Sequence, residues 1–396
     1  MISPDYDQLL QSFVDRFKHL PQQRSSEWLQ AKSKAVGGSE LAILDGCNPY
    51  QSLIGLIMSK SGVYVPPRGN LTPCHWGTLF EDVITRIIEI DLNASVMGTD
   101  IWIPSFPHHN VSPDGYCTIT VVETDDDYEL LTSANAAQHE GKPSKKIATL
   151  VEFKCPIRRR PNGEVPQYYK PQVWAGLHIS PMASQGLFVD AVFRKTPLKF
   201  LRPNRCYDFK FHREKNSWGT PIALGIIGFY SNDEALTAKL AKLSTRDCVL
   251  DVFDDSDDDQ DDENKSDTNQ LAYDPGLIPI DLGDTDNNAF EAFLHEFAER
   301  NLLVRFNDPH FDGIINASSE ICALNKMSPE GYNLIGILPW KLFDLYYVLL
   351  DRNFEFMKQI EPVVQDIIGT VLSIREAPNP TKKFKELYPD IEIPDS

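Results

Sequence analysis

The segment Leu150–Pro156, which reads Leu-Val-Glu-Phe-Lys-Cys-Pro, is the feature around which the rest of the chain can be organised. Its apolar residues alternate with Glu152 and Lys154, which predicts a strand with both polar side chains on one face. Burying a Glu and a Lys on such a strand is costly unless they pair or bind a metal. The segment therefore predicts a buried strand that carries either an ordinary ion pair or part of a metal site.

A second strand is predicted upstream. Ser-Pro-Asp-Gly at 112–115 leads into Tyr116–Val122, and Ile147–Cys155 is the predicted return strand. Between them, residues 123–146 have little apolar content and opposite charge at their two ends, which predicts a mobile insert between two paired strands. Asp114 and Glu152 are therefore expected on neighbouring strands.

Two helices carry further polar candidates. His75–Leu92 has an apolar stripe at i, i+3, i+4 and i+7, and Glu81 lies at its margin. That position suits either a residue that reaches an interior site or a solvated boundary residue. A second helix is predicted over Pro166–Ile179 and carries Gln172.

The glycine-rich turn at 37–40 predicts Ser39 as the N-cap of a helix over Leu41–Leu44. A helix start preceded by glycines can hold an anion, although a simple capped helix is the favoured interpretation of this motif alone.

An acidic, low-complexity segment divides the chain. Residues 250–275 are predicted to be a disordered linker, residues 1–249 the core domain, and residues 276–396 a C-terminal helical region that packs on the core. The remaining predicted elements are strands at Gln185–Phe193, Cys206–His212 and Ile222–Tyr230, and helices at Ala289–Leu303 and Trp340–Thr370, the last with a break near Asp351 or Pro362.

The net charge of −19 is concentrated in two segments. Asp251–Asp267 carries −9 and Glu123–Glu129 carries −5, which leaves −5 for the rest of the chain. DNA senses charge within a Debye length of about 10 Å, so local basic clusters are compatible with a DNA partner. The clusters lie at 142–146, at Lys154 with Arg158, Arg159 and Arg160, and at 194–205.

Targeting features predict an intracellular location. Seven scattered cysteines form no C-x-x-C pair, which indicates reduced thiols in the cytoplasm or the nucleus. No apolar run reaches the roughly 18 residues that span a bilayer. Met1–Leu10 has two acids and no basic residue, so no signal peptide and no secretion are expected.

The polar residues suit the hydrolysis of phosphodiesters. Divalent metal ions assist this reaction by generating hydroxide and by neutralising charge on the attacking and leaving oxygens. Mg²⁺ prefers oxygen ligands and keeps several waters, so few carboxylates suffice. The candidate ligands are Asp114, Glu152, the backbone carbonyl of Phe153 and, for a second ion, Glu81. Lys154 would orient the attacking water or stabilise charge on the phosphorane, and Gln172 would hold the water.

Five motifs follow one another: Trp28 with Gly-Gly-Ser-Glu at 37–40, Trp-Gly-Thr-Leu-Phe-Glu at 76–81, Ser-Pro-Asp-Gly at 112–115, Glu-Phe-Lys-Cys-Pro at 152–156, and Tyr-Tyr-Lys-Pro-Gln-Val at 168–173. In this order they resemble the lambda-exonuclease and YqaJ-like viral recombinase branch of the PD-(D/E)XK nucleases, over about residues 20–230. Leu-Pro-Trp-Lys-Leu-Phe at 338–343 resembles the tail of such proteins in large eukaryotic DNA viruses.

The resemblance implies an α/β (α+β) fold with a PD-(D/E)XK core, in which helices flank a mixed central sheet, and with extra C-terminal helices. It implies an exonuclease with two Mg²⁺ or Mn²⁺ ions that degrades one strand of duplex DNA from its ends, 5′→3′, in viral recombination. Some members form a ring-like trimer around DNA. The C-terminal helices are expected to cover the core or to bind a partner such as a single-strand annealing protein.

The resemblance also assigns residues by position. The catalytic set is matched by Glu81, Asp114, Glu152 and Lys154, with Gln172 at the family's glutamine. Ser39 and Ser112 match phosphate-contacting serines. Lys32 stands where the family has a phosphate-binding arginine, and because lysine lacks the bidentate fork, looser selectivity for the DNA end is expected. The basic loop adds candidate DNA contacts at Arg158, Arg159 and Arg160.

Three alternatives stay open at this point. The same site could serve an endonuclease or a ribonuclease, or it could be disabled in a module that binds DNA ends or protein. A zinc site is the third, although its candidate ligands fit no standard spacing. Those ligands are Cys74, His75, His108, His109 and Cys117.

Overall fold

A computed structural model of the chain describes residues 5–21, 25–64, 72–99, 103–124, 128–157, 159–195, 201, 223–234, 278–279, 304–306 and 317–394. The predictions for Cys206–His212, for Ala289–Leu303 and for the acidic linker at 250–275 lie outside these residues. The domain boundaries stay a prediction.

Nine strands of the described residues form one mixed sheet. They are β2 (Met97–Gly98), β5 (Gly115–Glu123), β6 (Tyr128–Leu130), β7 (Ser144–Lys154), β8 (Gln185–Lys195), β9 (Leu224–Ser231), β10 (Ile278–Pro279), β11 (Val304–Phe306) and β12 (Asn333–Leu350). Their order in the sheet is β11-β9-β12-β8-β7-β5-β2, with β10 beside β12 and β6 beside β5. β7 and β8 pair in parallel, whereas β5 pairs antiparallel with β7 and β12 pairs antiparallel with β8.

A smaller sheet and the helices complete the described structure. The smaller sheet has the order β1-β4-β3 and consists of β1 (Val36–Gly37), β3 (Ile103–Phe106) and β4 (His109–Val111). The helices are α1 (Tyr6–Phe17), α2 (Ser26–Ser33), α3 (Leu41–Leu44), α4 (Leu53–Ser61), α5 (Thr72–Asp91), α6 (Lys170–Ile179), α7 (Ala317–Lys326), α8 (Phe354–Arg375) and α9 (Pro380–Leu387).

Helices cover both faces of the central sheet. The predicted stripe of α5 is buried, with Phe80 and Ile84 fully inaccessible, and it packs with Val151 of β7. On the opposite face, α1 and α6 pack with Leu150. A strand sends alternate residues to opposite faces, so this sandwich buries both sides of β7. The predicted fold class, a mixed central sheet flanked by helices, is confirmed.

The close approach of α6 to β7 depends on a glycine. A Cβ atom at Gly176 would collide with the side chain of Leu150. Because Glu152 and Lys154 share the parity of Leu150, they lie on the face that α6 covers. The packing of α6 therefore brings Gln172 over the strand that carries the polar pair.

The insert at 123–146 joins two strands that pair as predicted, from Gly115 opposite Val151 to Val122 opposite Ser144. Its described residues include β6, which pairs with the end of β5. Ser133 also donates to the Asp91 carboxylate at the end of α5. The insert therefore packs on the core, while its predicted mobility stays a prediction.

The helix predicted over Trp340–Thr370 is wrong in its first half. Residues 333–350 form β12, which pairs with β8 on one side and β9 on the other. This strand is buried on both faces for most of its length, so its apolar run lacks a period of two and resembles a helix. The chain changes from strand to helix near Asp351, where a break in a helix was predicted, and Asn353 caps α8 by accepting from the Phe356 N–H at 2.9 Å. Pro362 lies inside α8 without ending it.

The C-terminal helices pack on the core. α8 contributes Met357, Ile360 and Val364 to a cluster with α3 and α6, and Phe384 of α9 joins a second cluster with α4. Among the described residues, no helix combines the length and the apolar character needed to cross a bilayer.

Candidate active site

Two of the predicted acidic residues, Asp114 and Glu152, meet at one end of β5 and β7. Gly115 pairs with Val151, which places Asp114 beside the last residues of β7. A carboxylate oxygen of Asp114 accepts from the Phe153 N–H at 2.7 Å, so the aspartate is fixed next to Glu152. Strand pairing thus joins two residues that are 38 positions apart in the sequence.

Glu152 is the buried centre of this cluster. Only 2% of its surface is exposed. One of its oxygens, Oε1, accepts from both Lys154 Nζ and the side-chain amide of Gln172. The contact with Lys154 that the strand alone suggested is therefore present, and it lies in a larger polar network.

The charges in this network are unequally stabilised. Burial and the nearby Asp114 carboxylate together raise the pKa of Glu152 to about 8, although Lys154 opposes the shift. Burial lowers the pKa of Lys154, but the carboxylates of Glu152 and Asp114 outweigh this and hold it above its ordinary value. The lysine therefore stays cationic, while ionisation of Glu152 costs free energy.

This arrangement makes the stability of the metal-free protein depend on pH. Between the ordinary glutamate pKa of 4.5 and about 8, the folded chain keeps a proton on Glu152 that the unfolded chain has lost. The free energy of unfolding should therefore fall as pH rises through this window, by a few kcal/mol at about 1.4 kcal/mol per pKa unit.

Denaturant unfolding in a chelator from pH 5 to pH 9 measures this effect. Glu152→Gln cannot lose the proton, so the stability difference between wild type and variant should shift against the wild type as pH rises. A difference that does not change with pH would contradict the raised pKa.

Tyr169, in the turn before α6, connects this network to a second ion pair. Lys154 Nζ lies 4.9 Å from the centre of its ring, and the Arg159 guanidinium lies 5.8 Å from the same ring. Arg159 also donates two hydrogen bonds, of 2.6 and 2.8 Å, to the carboxylate of Asp190. The ring of Tyr169 therefore lies against two cations.

Asp190 is a site residue that the sequence analysis missed. It lies on β8 opposite Lys154, is 2% exposed, and burial raises its pKa although Arg159 opposes the shift. Its position inside the apolar segment Gly186–Phe193 was the available signal. The phosphate-binding role predicted for Arg159 stays a prediction, but part of its guanidinium is engaged by Asp190.

The other predicted residues lie at different distances from this centre. Glu81 is exposed on α5, which covers the opposite face of the sheet, and its negative charge adds to the raised pKa of Glu152. Lys32 Nζ lies 4.8 Å from the ring centre of Trp28 on α2. Ser112 is half-buried just before Asp114, Arg160 is exposed, and Arg158 lies outside the described residues.

Ser39 was predicted to cap α3, but it does not do so in the structure. It lies in the middle of the short 3-10 turn Gly38–Glu40, and Glu40 precedes α3. The Glu40 carboxylate accepts from the Gly37 N–H at 2.8 Å and pairs with Lys60 at 3.0 Å, so the glutamate holds the turn instead of the serine. A Cβ at Gly38 would lie 3.8 Å from the Gln172 side chain, which places the turn against α6 beside the site.

The two carboxylates of Asp114 and Glu152 are a small set of ligands, but oxygen ligands of this kind suit a hard divalent cation. Within the residues that the structure describes, no three His, Cys, Asp or Glu form a group able to hold a metal ion. Asp114 and Glu152 instead form a repelling carboxylate pair, which a cation would relieve, and Mg²⁺ needs few protein ligands. The zinc alternative gains no support, because the Cys117 Sγ is hydrogen-bonded to the Thr149 hydroxyl at 3.3 Å and the His109 ring stacks on Phe106.

The structure places an aspartate and a Glu-x-Lys pair on adjacent strands of a mixed, helix-flanked sheet, which is the arrangement that the resemblance implied. Residues 27–183 match the model of the YqaJ-like viral recombinase domain. The range contains every site residue predicted from the sequence, and the predicted resemblance is confirmed.

Similar proteins occur in large DNA viruses. A protein of African swine fever virus (Badajoz strain) is 27% identical over 383 residues, which are 96% of this chain and 94% of the relative. A protein from a South African tick isolate of the same virus is 27% identical over 390 residues, which are 97% of this chain and 96% of the relative. An uncharacterised protein of Acanthamoeba polyphaga mimivirus is 27% identical over 180 residues, which are 43% of this chain and 29% of the relative.

Among solved structures, an alkaline exonuclease from Laribacter hongkongensis is 18% identical and covers 42% of this chain and 74% of its own. Its TM-score of 0.27 does not establish a common fold. The similarity therefore rests on the sheet, the site and the match to the family model.

Proposed function

We propose that the chain is a metal-dependent exodeoxyribonuclease that degrades one strand of duplex DNA from its ends, 5′→3′, in viral DNA recombination or genome processing. The observation that carries this proposal is the buried Glu152, fixed beside Asp114 and bonded to Lys154 and Gln172. The match to the YqaJ-like viral recombinase domain supports DNA recombination as the setting.

Asp114 and Glu152 would hold the divalent cation, Mg²⁺ or Mn²⁺, with the Phe153 carbonyl as a further ligand. Glu81 would serve a second ion from its position on α5. When bound, the ion would supply charge neutralisation on the phosphate oxygens and a nucleophile at neutral pH. The raised pKa of Glu152 supports this assignment, because a carboxylate that repels its neighbour is poised to accept a cation.

Lys154 would stabilise the negative charge that develops on the phosphorane. Its pKa is held above the ordinary value, so the amine is cationic at every pH of interest, and it is fixed between Glu152 and the ring of Tyr169. A cation that is already in place needs no reorganisation during the reaction. Gln172 would orient the Glu152 carboxylate through its amide and hold the attacking water.

DNA would reach the site along the surface near α6. Ser39 and Ser112 would contact phosphates, and Lys32 would neutralise the terminal phosphate without a bidentate fork. Arg158, Arg159 and Arg160 would add positive charge. The expected partners are duplex DNA ends, a single-strand annealing protein and further copies of the chain in a trimer, in the cytoplasm or nucleus of the infected cell.

A panel of substrates tests this function. Linear duplex DNA with 5′-phosphates, closed circular duplex DNA and a structured RNA are each incubated with the protein and Mg²⁺. We expect digestion of the linear duplex alone, with release of nucleotides from the 5′-labelled strand end before the 3′-labelled one.

Each of the other outcomes of this panel would indicate a different function of the chain. Cleavage of the circle would identify an endonuclease, and preferential cleavage of RNA a ribonuclease. Binding of the linear duplex without digestion, in both Mg²⁺ and Mn²⁺, would identify a DNA-binding module and contradict the proposal.

A further inference from the structure

Three tyrosine rings in contact lead from the candidate site to the protein surface. The Tyr169 ring, which lies beside Lys154, has its centre 4.4 Å from that of Tyr168. Tyr168 in turn meets Tyr50 edge to face, with ring centres 5.6 Å apart. The series therefore begins at the lysine of the site and ends at Tyr50.

The outer ring is exposed and yet held in place. Tyr50 is 76% exposed, the largest exposed fraction among the described large hydrophobic residues. Its backbone N–H and that of Gln51 donate to the Asn48 side chain at 2.8 and 3.0 Å, which fixes the turn. Its hydroxyl lies 3.4 Å from that of Tyr168. An exposed ring held from both ends is ordered without contributing to the core.

The surroundings separate two kinds of chemistry. Lys154 and Arg159 lie against the inner ring, at the site where the phosphodiester would be cut, whereas Tyr50 presents a flat aromatic surface at the outer end. A nucleic acid strand has the same two parts, a charged backbone and flat bases. Aromatic side chains beside a basic groove bind single strands by stacking, with little preference for sequence.

We propose that the Tyr50 ring stacks on a nucleobase of the DNA strand whose phosphodiester lies at Glu152 and Lys154. This inference rests on the proposed nuclease function and adds a nucleobase subsite to it. By stacking on a base close to the site, Tyr50 would help to hold the strand end unpaired while it is cut.

Binding of a fluorescent DNA end tests the subsite apart from catalysis. The parent is Glu152→Gln, which keeps the strand intact, and the probe is a 5′-phosphorylated duplex with 2-aminopurine near its end. We expect the parent to quench the probe. Addition of Tyr50→Ala should abolish the quenching and weaken binding on the order of tenfold, as expected for the loss of one stacked base. Addition of Tyr50→Trp should preserve both.

Tyr128 provides a matched control. It is also an exposed tyrosine, and it lies on β6 opposite Glu123, at the far end of β5 from Asp114. Tyr128→Ala in the same parent should leave affinity and quenching unchanged. If Tyr50→Ala binds and quenches like the parent, the subsite is wrong while the nuclease proposal stands. If the parent itself binds no DNA end, both proposals fail.

Discussion

Glu152→Gln is expected to lower the rate of DNA hydrolysis by about 10³-fold or more, which is the scale of losing a central electrostatic group in an active site. The amide has the shape of the carboxylate, so Lys154 and Gln172 keep a partner at the same place. The negative charge that would hold the cation is lost. The measurement is the initial rate of nucleotide release from a linear duplex in Mg²⁺.

The variant also separates loss of chemistry from loss of folding. Glu152→Gln removes a carboxylate whose ionisation is unfavourable, so above pH 8 it should unfold at a higher denaturant concentration than the metal-free wild type. Glu164→Gln, at an exposed position in the loop before α6, is the matched control and should digest DNA at the wild-type rate. Comparable rates for Glu152→Gln and wild type would show that the site assignment is wrong.

Asp190→Ala is expected to lower the free energy of unfolding by about 2–4 kcal/mol. It removes one partner of a buried ion pair, which typically costs 3–5 kcal/mol, and the quarter exposure of the Arg159 side chain reduces this cost. Arg159 would then lose its fixed position against Tyr169, and Lys154 would lose part of its support, so activity should fall as well. Denaturant unfolding at pH 7 measures the stability.

Replacing both residues of the Asp190–Arg159 pair shows whether the loss of stability comes from an unpaired buried charge or from a cavity. Replacing both partners, as Asp190→Leu with Arg159→Met, should recover part of the stability, because removing both charges leaves none buried alone. Asp351→Ala, at an exposed aspartate that bonds Gln185, should change the stability by no more than about 0.5 kcal/mol. Strictly additive effects of the two single replacements would contradict the coupling.

The sequence was most informative where local pattern and function coincide. The alternation in Leu150–Pro156 and the apolar stripe of α5 predicted elements that the structure contains, because the polar and apolar residues of each segment follow the period of the element that it forms. The proximity of Asp114 and Glu152 was predictable because two strands joined by an insert commonly pair with each other, as β5 and β7 do. Gln172 followed from the order of the motifs and not from any local rule.

The sequence was least informative where the register of distant strands decides the outcome. The pairing of Arg159 with Asp190 depends on how β7 aligns with β8, and no local period encodes that alignment. β12 was predicted as a helix because a strand buried on both faces is apolar throughout. Ser39 was predicted as a cap from its residue type, whereas the turn is held by Glu40 through contacts with a neighbouring helix.

The central claim is that Asp114 and Glu152 together hold a divalent cation, and calorimetric titration of Mn²⁺ and Mg²⁺ into the folded protein tests it directly. The wild type should bind the ions in the absence of DNA, with tighter binding as the pH rises through about 8 because the ion displaces a proton from Glu152. Asp114→Asn and Glu152→Gln should each lose this binding while remaining folded. Unchanged binding in either variant, or no binding to the wild type, would contradict the account.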